Sequence, residues 1–232
     1  MMNDLSHASA ATAVDYDPFA DAAPVARVAP TTEAQREIWL ACQLGGDATL
    51  AYNESVSVRL RGRIATEALR RAVLGLVVRH DALRATFGAD GLKMFIAESL
   101  AVDIPEHHLE TLSQDAHDAA LQAHIRADVD KPFDLEHGPL LRAGIVRFGP
   151  DEVVLILTAH HIVCDGWSFG VLLSELPALL PATEYKHHRR LRIRQFPAIN
   201  AEPELLGYTD DYEHRSRPAN HREPVADARP AA

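Results

Sequence analysis

The stretch DEVVLILTAHHIVCDGWSFGVLL, residues 151–173, decides the fold of this chain. Its first half is an apolar run without polar alternation, which predicts a central strand covered on both faces. His160 and His161 stand at the end of that run, and Asp165 and Gly166 follow before a second apolar segment. The order strand, histidine pair, turn and helix therefore defines both the centre of the fold and the candidate site.

The two histidines are the candidate functional residues. Successive side chains of a strand point to opposite faces, so His160 and His161 cannot readily bind one metal ion, and no third ligand at zinc-type spacing is near them in the sequence. If one imidazole faces the interior, the other faces outward at the strand end, where clefts of α/β folds tend to lie. Asp165 or Ser168 can cap the following helix, whose first free N–H groups point toward the space beside the histidine.

A neutral base near pH 7 beside N–H donors meets the needs of acyl transfer. The alternative is a pair of structural histidines next to an ordinary helix cap. For an isolated histidine pair that alternative would be preferred, but the pattern HHxxxDG after an apolar strand favours catalysis.

The segments on either side alternate between helical and strand patterns. TEAQREIWLACQL has apolar residues at helical spacing and ends at Gly45-Gly46, whereas Val56, Val58 and Leu60 alternate with polar residues, as in a strand with one buried face. The elements predicted further along are a helix at 66–80, a hairpin at 84–97, a helix at 113–130 ended by Pro132, and a strand within 132–148. This mixture predicts an α/β fold with a mixed sheet.

The chain divides into three regions by composition. Residues 1–30, rich in Ala, Ser, Asp and Pro, are predicted to be a disordered leader or linker, and residues 31–180 the folded domain. Pro177 and Pro181 are predicted to interrupt the helix begun by GWSFGVLLSEL, and residues 181–232 show no period, as in an irregular or disordered tail. The basic run KHHRRLRIR, which has no acid, favours a solvated tail over a patch for an anionic partner.

Composition narrows the function classes. A formal charge of −10 over 232 residues argues against nucleic acid as a partner, because phosphate binding needs a basic face. Cys42 and Cys164 lie far apart without a CxxC motif, which suits reduced thiols in the cytoplasm. No secretory signal is evident, and no apolar stretch approaches the length of a membrane span. We expect a soluble cytoplasmic protein without a membrane partner or a bound metal.

HHIVCDGWS, residues 160–168, resembles the HHxxxDG core motif of the condensation domains of nonribosomal peptide synthetases, which belong to the chloramphenicol acetyltransferase-like superfamily. Three further segments resemble family motifs in the same order: TEAQREIWLA the opening motif, RHDALRATF the second motif, and PFDLEHGPLLRA the stretch before the catalytic strand. Four ordered segments make this resemblance far more specific than a lone HxxxD pattern.

The resemblance implies a chloramphenicol acetyltransferase-like sandwich, of which this chain would hold the N-terminal half-domain only. It also implies amide-bond formation in secondary metabolism, in which an acceptor amine attacks a donor thioester. Peptidyl or acyl carrier proteins would present both substrates on phosphopantetheine arms, and the chain itself would bind no cofactor. Because the later family motifs are missing, we expect a truncated or frame-shifted product, or a missing C-terminal half on another polypeptide, with weak or no turnover by the chain alone.

The resemblance also assigns roles to single residues. His161 would be the catalytic histidine, which orients the amine and accepts its proton, and His160 a mostly buried supporting partner. Asp165 would hold the loop by pairing with an arginine. Gly166 would leave room for the substrate and offer its N–H to the oxyanion.

Four further residues are expected to support the site. Arg79 and Arg84 are the candidate partners of Asp165. Trp167, like Trp39, is expected to be a core anchor, and Ser168 is the alternative cap of the helix.

Two other functions remain open. The chain could be a non-catalytic remnant or carrier-binding module that keeps the fold without the activity. It could also be a stand-alone acyltransferase of the HxxxD group that uses a soluble acyl thioester.

Overall fold

The computed structural model describes residues 24–180 and the backbone of residues 191–194. Most of the predicted leader and tail, residues 1–23, 181–190 and 195–232, lies outside the described residues. The described parts correct both boundaries, since residues 25–30 and residues 191–194 form strands. Each of these strands depends on pairing with a strand distant in the sequence, which leaves no local period to read.

Eight strands and five helices make up the described part of the chain. The strands are β1 (Val25–Pro30), β2 (Asn53–Arg61), β3 (Ala85–Phe87), β4 (Lys93–Ala97), β5 (Glu106–His108), β6 (Leu141–Gly149), β7 (Glu152–His160) and β8 (Leu191–Arg194). The helices are α1 (Glu33–Cys42), the short α2 (Asp47–Leu50), α3 (Thr66–Arg79), α4 (Gln114–Val129) and α5 (Gly166–Leu179), with a 3-10 turn at Asp81–Arg84.

The larger sheet has the strand order β5-β6-β7-β2-β8. β7 lies in its middle and runs antiparallel to β6 and β2, whereas β5 joins β6 in parallel. This topology confirms the predicted α/β fold with a mixed sheet and the central position of the apolar run.

Side chains of β7 alternate between two apolar layers. Val153, Leu155 and Leu157 belong to the layer shared with α3 and α5, and Val154 and Ile156 to the layer shared with α4. All five side chains are at most 2% exposed. Burying each one contributes roughly 1.5–3 kcal/mol, so β7 is held from both faces and the position of its carboxyl end is fixed.

β2 is also covered on both faces, which corrects the prediction of one buried face. Val56, Val58 and Leu60 join the layer with α3 and α5, but Ser55 and Ser57 are buried as well. Small hydroxyl side chains tolerate burial when they are hydrogen-bonded, as the Ser55 hydroxyl is to the Leu157 carbonyl oxygen. The alternation of polar residues in β2 therefore did not mark a solvent face.

α5 continues to Leu179, so the prediction that Pro177 interrupts it is wrong. Pro177 lies near the C-terminus of the helix, where its missing N–H costs a single intrahelical hydrogen bond. The last turn is held by packing, since Leu179 approaches Gly75 of α3 closely enough that a Cβ on Gly75 would lie 3.3 Å from Leu179 Cδ1.

A second, three-stranded sheet of order β1-β4-β3 lies beside α1. Thr32 caps α1 in a reciprocal capping box with Gln35. The Gln35 side-chain amide also donates to the Ile162 carbonyl oxygen at 3.1 Å. The start of α1 is therefore tied to the turn that follows the histidine pair.

Candidate functional site

His161 lies one residue beyond the end of β7. Its backbone N–H donates to the Tyr52 carbonyl oxygen at 2.8 Å, which anchors the turn to the residue before β2. Its side chain is 37% exposed. The ring of residue 161 is thus at an opening of the fold and not within the packed interior.

Glu54 of β2 is the charged neighbour of this ring. Its Oε1 lies 2.5 Å from His161 Nδ1. Nδ1 is buried and the carboxylate lies off the direction of an ideal N–H bond, so the two atoms are in close contact without an aligned hydrogen bond. Nδ1 is buried while the side chain is partly exposed, so the part of the side chain that meets solvent lies away from Nδ1.

His160 is fully buried. Burial, together with the nearby His161 and Arg142, lowers its pKa to about 4, so the ring is neutral near pH 7. The Ile162 N–H donates to His160 Nδ1 at 3.2 Å, which places the ring proton on Nε2, 3.6 Å from Cys42 Sγ. The His160 ring is therefore held in one tautomer and stabilises the turn by accepting a hydrogen bond from the Ile162 N–H.

Asp165 is the N-cap of α5. Its Oδ1 accepts from the Ser168 N–H at 2.7 Å and from the Ser168 hydroxyl at 2.6 Å. These hydrogen bonds hold the pKa of the Asp165 carboxyl below its ordinary value. The sequence left open whether Asp165 or Ser168 caps the helix. Asp165 is the cap, and Ser168 donates the hydrogen bonds that it accepts.

Gly166 opens α5 with free space above its Cα. A Cβ built there would meet no atom within 4 Å. The N–H groups of Gly166 and Trp167 are the first two of the helix and have no acceptor within it. They carry the positive end of the helix dipole and can stabilise a developing anion.

The arginines predicted to pair with Asp165 pair elsewhere. Arg79 Nε lies 2.9 Å from Glu175 Oε2. Arg84 donates to Asp81 Oδ1 at 2.7 Å and to backbone carbonyl oxygens, which joins α3 to the 3-10 turn and to β4. The prediction of an arginine partner from this pair is wrong, because both guanidinium groups are already bound by the local fold.

Trp167 is 84% exposed, so its prediction as a core anchor is wrong. The buried face of α5 is formed by Phe169, Leu172, Leu173 and Leu176, and position 167 does not lie on that face. Trp39, by contrast, packs against the apolar cluster beneath the site.

Neither cysteine is suited to act as a nucleophile. Burial raises the pKa of the Cys164 thiol to about 12 and that of Cys42 above its ordinary value. Reactive cysteines require an accessible thiolate, whereas both thiols are buried. The titratable group at the opening is His161.

Sequence reasoning missed Glu54, Gln35 and Arg142. For Glu54 a signal was available in the alternation of β2. Glu54 lies on the same face of the strand as Val56 and Val58, so it places a carboxylate on an otherwise apolar face. Its proximity to His161 also requires the pairing of Glu54 with Ala159 of β7, which the sequence does not show.

Within residues 24–180, no group of three or more His, Cys, Asp and Glu side chains could hold a metal ion. None of the described helices combines the length and apolarity needed to cross a bilayer.

The family model for the Condensation domain matches residues 25–196. Chondramide synthase cmdD of Chondromyces crocatus is 35% identical over 223 residues, which is 88% of this chain and 6% of the synthase. Phosphinothricin tripeptide synthetase PhsC of Streptomyces viridochromogenes is 41% identical over 157 residues, which is 67% of this chain and 14% of the synthetase. The match begins within the predicted leader, in agreement with β1.

Solved structures give the same result. The starter condensation domain of rhizomide synthetase RzmA superimposes with a TM-score of 0.59 at 29% identity over 65% of this chain and 36% of that structure. A four-domain nonribosomal peptide synthetase, holo-AB3403, shares the fold with a TM-score of 0.58 at 22% identity. The chain spans about a third of the starter domain. With the motif, the fold and the family match in agreement, the chain belongs to the condensation-domain family of nonribosomal peptide synthetases.

Proposed function

We propose that this site forms an amide bond by transferring an acyl group from a thioester to an amine. The observation that carries the proposal is the position of His161, whose side chain is 37% exposed just past the end of β7 and interacts electrostatically with Asp165, the N-cap of α5. An amine and a thioester carbonyl that meet there would find a proton acceptor and donors for the oxyanion side by side.

The chemistry balances with these groups alone. The amine nitrogen attacks the thioester carbonyl carbon, and its excess proton passes to His161 Nε2. The tetrahedral oxyanion is stabilised by the N–H groups of Gly166 and Trp167. The C–S bond then breaks, the proton moves from His161 to the leaving sulfur, and an amide and a thiol result.

The substrates are proposed to arrive on carrier proteins, as thioesters on phosphopantetheine arms. Membership of the condensation-domain family supports this, as do the multidomain synthetases among the relatives. Holding two tethered substrates together can supply effective molarities of about 10⁵–10⁸ M. General base catalysis by the histidine adds about 10²–10⁴-fold, so positioning contributes the larger part.

The test is an amide-formation assay with a loaded donor carrier and a loaded acceptor carrier. We expect His161→Ala to lower product formation by about 10²–10⁴-fold. His137→Ala is the matched control, because its side chain is 81% exposed and pairs with Asp134, so its loss should not change the rate. Equal product from wild type and His161→Ala would contradict the proposal.

The same assay separates the other two candidates. Carrier binding without product from wild type would favour a non-catalytic carrier-binding module. The prediction of weak turnover by the chain alone is measured in the wild-type arm, over long single-turnover incubations.

A soluble acyl thioester as donor is favoured by one comparison. The starter condensation domain of rhizomide synthetase has been solved in complex with C8-CoA. Replacing the donor carrier with octanoyl-CoA tests this for the present chain. Product that depends on His161 would support a coenzyme A donor, and product with the donor carrier alone would exclude it.

A further inference from the structure

We propose that Glu54 is a positioning residue that holds His161 in the tautomer with the proton on Nδ1 and thereby leaves the lone pair of Nε2 facing the substrate. The catalytic meaning of this inference rests on the proposed function, but the tautomer can be measured without turnover. Glu54 lies outside every motif that carries the family resemblance.

The register of the sheet brings the two residues together. Glu54 is paired with Ala159 of β7. Side chains two positions apart on a strand share a face, so His161 lies on the same face as Ala159. His161 is therefore the diagonal neighbour of Glu54. The backbone hydrogen bond from His161 N–H to the Tyr52 carbonyl oxygen continues the same ladder past the end of β7.

The contact joins a partly buried carboxylate to a buried ring nitrogen. The Glu54 side chain is 29% exposed, and its Oε1 lies 2.5 Å from His161 Nδ1. The carboxylate lies off the N–H direction, as is common for catalytic hydrogen bonds before substrate binds.

The tautomer follows from what each atom can donate. A neutral imidazole has one N–H and one acceptor nitrogen, and an ionised carboxylate only accepts. The nitrogen that faces Glu54 must therefore carry the proton, which leaves Nε2 as the acceptor. At His160 the opposite holds, because its Nδ1 accepts from the Ile162 N–H. The two adjacent histidines are thus held in opposite tautomers.

Titratable groups from three elements lie near the His161 ring. Glu54 faces it from β2, His160 adjoins it at the end of β7, and Asp165 interacts with it electrostatically from the start of α5. Of these, His160 is neutral and the Asp165 carboxylate is engaged by Ser168. Glu54 is the group placed on Nδ1.

The experiment is nitrogen-15 NMR of the full chain labelled on histidine, with the His161 signals assigned by their loss in His161→Ala. In wild type we expect the Nδ1–H tautomer to dominate in the neutral ring. In Glu54→Gln, whose amide can donate as well as accept, we expect a mixture that includes the Nε2–H tautomer. Glu54→Asp, which keeps the carboxylate, should restore most of the Nδ1–H form.

Glu110→Gln is the matched control, because it removes a carboxylate from another histidine. Glu110 Oε1 lies 3.0 Å from His108 Nδ1 on an exposed surface away from the site. It should leave the His161 signals and the rate unchanged. An unchanged His161 tautomer in Glu54→Gln, with wild-type folding by circular dichroism, overturns the proposal.

Amide formation provides the second readout. With carriers as substrates, Glu54→Gln should lower kcat by about 10- to 100-fold, a part of the general-base contribution of about 10²–10⁴-fold, and leave KM unchanged. A kcat equal to wild type overturns the positioning role. If wild type itself forms no product, the proposed function fails, and the NMR result alone decides whether Glu54 sets the tautomer.

Discussion

Acidification from about pH 7 to about pH 5 is expected to destabilise this protein through His160. Its ring is fully buried, and burial lowers its pKa from 6.5 to about 4 in the folded state. In the unfolded chain the same ring titrates near its ordinary value of about 6.5. Between these pKa values the His160 ring is protonated in the unfolded state but not in the folded state. The free energy of unfolding therefore falls as the pH drops from about 6.5 towards about 4.

The magnitude follows from the two pKa values. The folded and unfolded pKa values differ by about 2.5, and at about 1.4 kcal/mol per unit of pKa this sets an upper bound of about 3 kcal/mol. At about pH 5 the unfolded ring is almost fully protonated and the folded ring about one-tenth protonated, which gives a loss of about 2 kcal/mol. At about pH 4 the loss reaches about 3 kcal/mol.

The assay is urea unfolding of wild type and His160→Asn followed by tryptophan fluorescence at several pH values. Asparagine removes the titrating ring but keeps a side-chain oxygen that can accept from the Ile162 N–H. The variant is expected to be less stable at pH 7 because of the lost packing, yet to lack the loss of about 2 kcal/mol on going to pH 5. His137→Asn, which removes an exposed ring, should keep the wild-type pH dependence.

The unfolding free energies should be compared above about pH 5, because carboxylates with lowered pKa values add their own pH dependence below it. Asp165 and Glu106 also have pKa values below their ordinary range, because they accept hydrogen bonds from Ser168 and from Arg147 and Thr66. Their stabilisation is lost only as the pH falls below about 4.5. If wild type and His160→Asn lose the same free energy of unfolding between pH 7 and pH 5, His160 is not the buried neutral group described here.

Three further substitutions test the site and its supports. Gly166→Ala should leave the free energy of unfolding within about 0.5 kcal/mol of wild type, because a Cβ there meets no atom within 4 Å, but should lower amide formation by occupying the space at the start of α5. Asp165→Ala should cost about 0.5–2 kcal/mol in urea unfolding through loss of the helix cap on Ser168, and Asp165→Asn should cost less. Gly91→Ala should destabilise by about 2 kcal/mol or more, because Gly91 has a φ of +67° and a Cβ would lie 2.5 Å from Trp39 Cδ2. Equal unfolding free energies for Gly91→Ala and Gly166→Ala would contradict the packing described for Trp39.

Local elements were predictable because their signals are local. The unbroken apolar run of β7 indicated a strand covered on both faces, and it lies in the centre of the sheet between β6 and β2. The spacing of apolar residues predicted α3 and α4. The same reasoning failed for β2. Its small polar side chains predicted a face exposed to solvent, but they are buried on the side of the sheet that α4 covers.

The predicted partners of Asp165 failed for a related reason. An arginine close in the sequence motif has several acceptors within reach once the chain folds. Arg84 lies between α3 and β4 and binds carbonyl oxygens there, and Arg79 binds Glu175 across the α3–α5 contact. The choice among acceptors is made by packing, which no spacing rule encodes.

The sequence by itself determined the strand, the histidine pair, the capped helix and the family to which they point, because periodicity, capping and motif order depend on residues near one another. The tertiary structure alone decided which side chains meet at the site: Glu54 on His161, Cys42 beneath His160, and Trp167 in solvent. Those contacts depend on the register of β2 against β7 and on the packing of α1 and α5, which join residues far apart in the chain. Packing fixes that register, since a slip of β2 by one residue would move Val56, Val58 and Leu60 out of the layer with α3 and α5 and put Ser55 and Ser57 in their place.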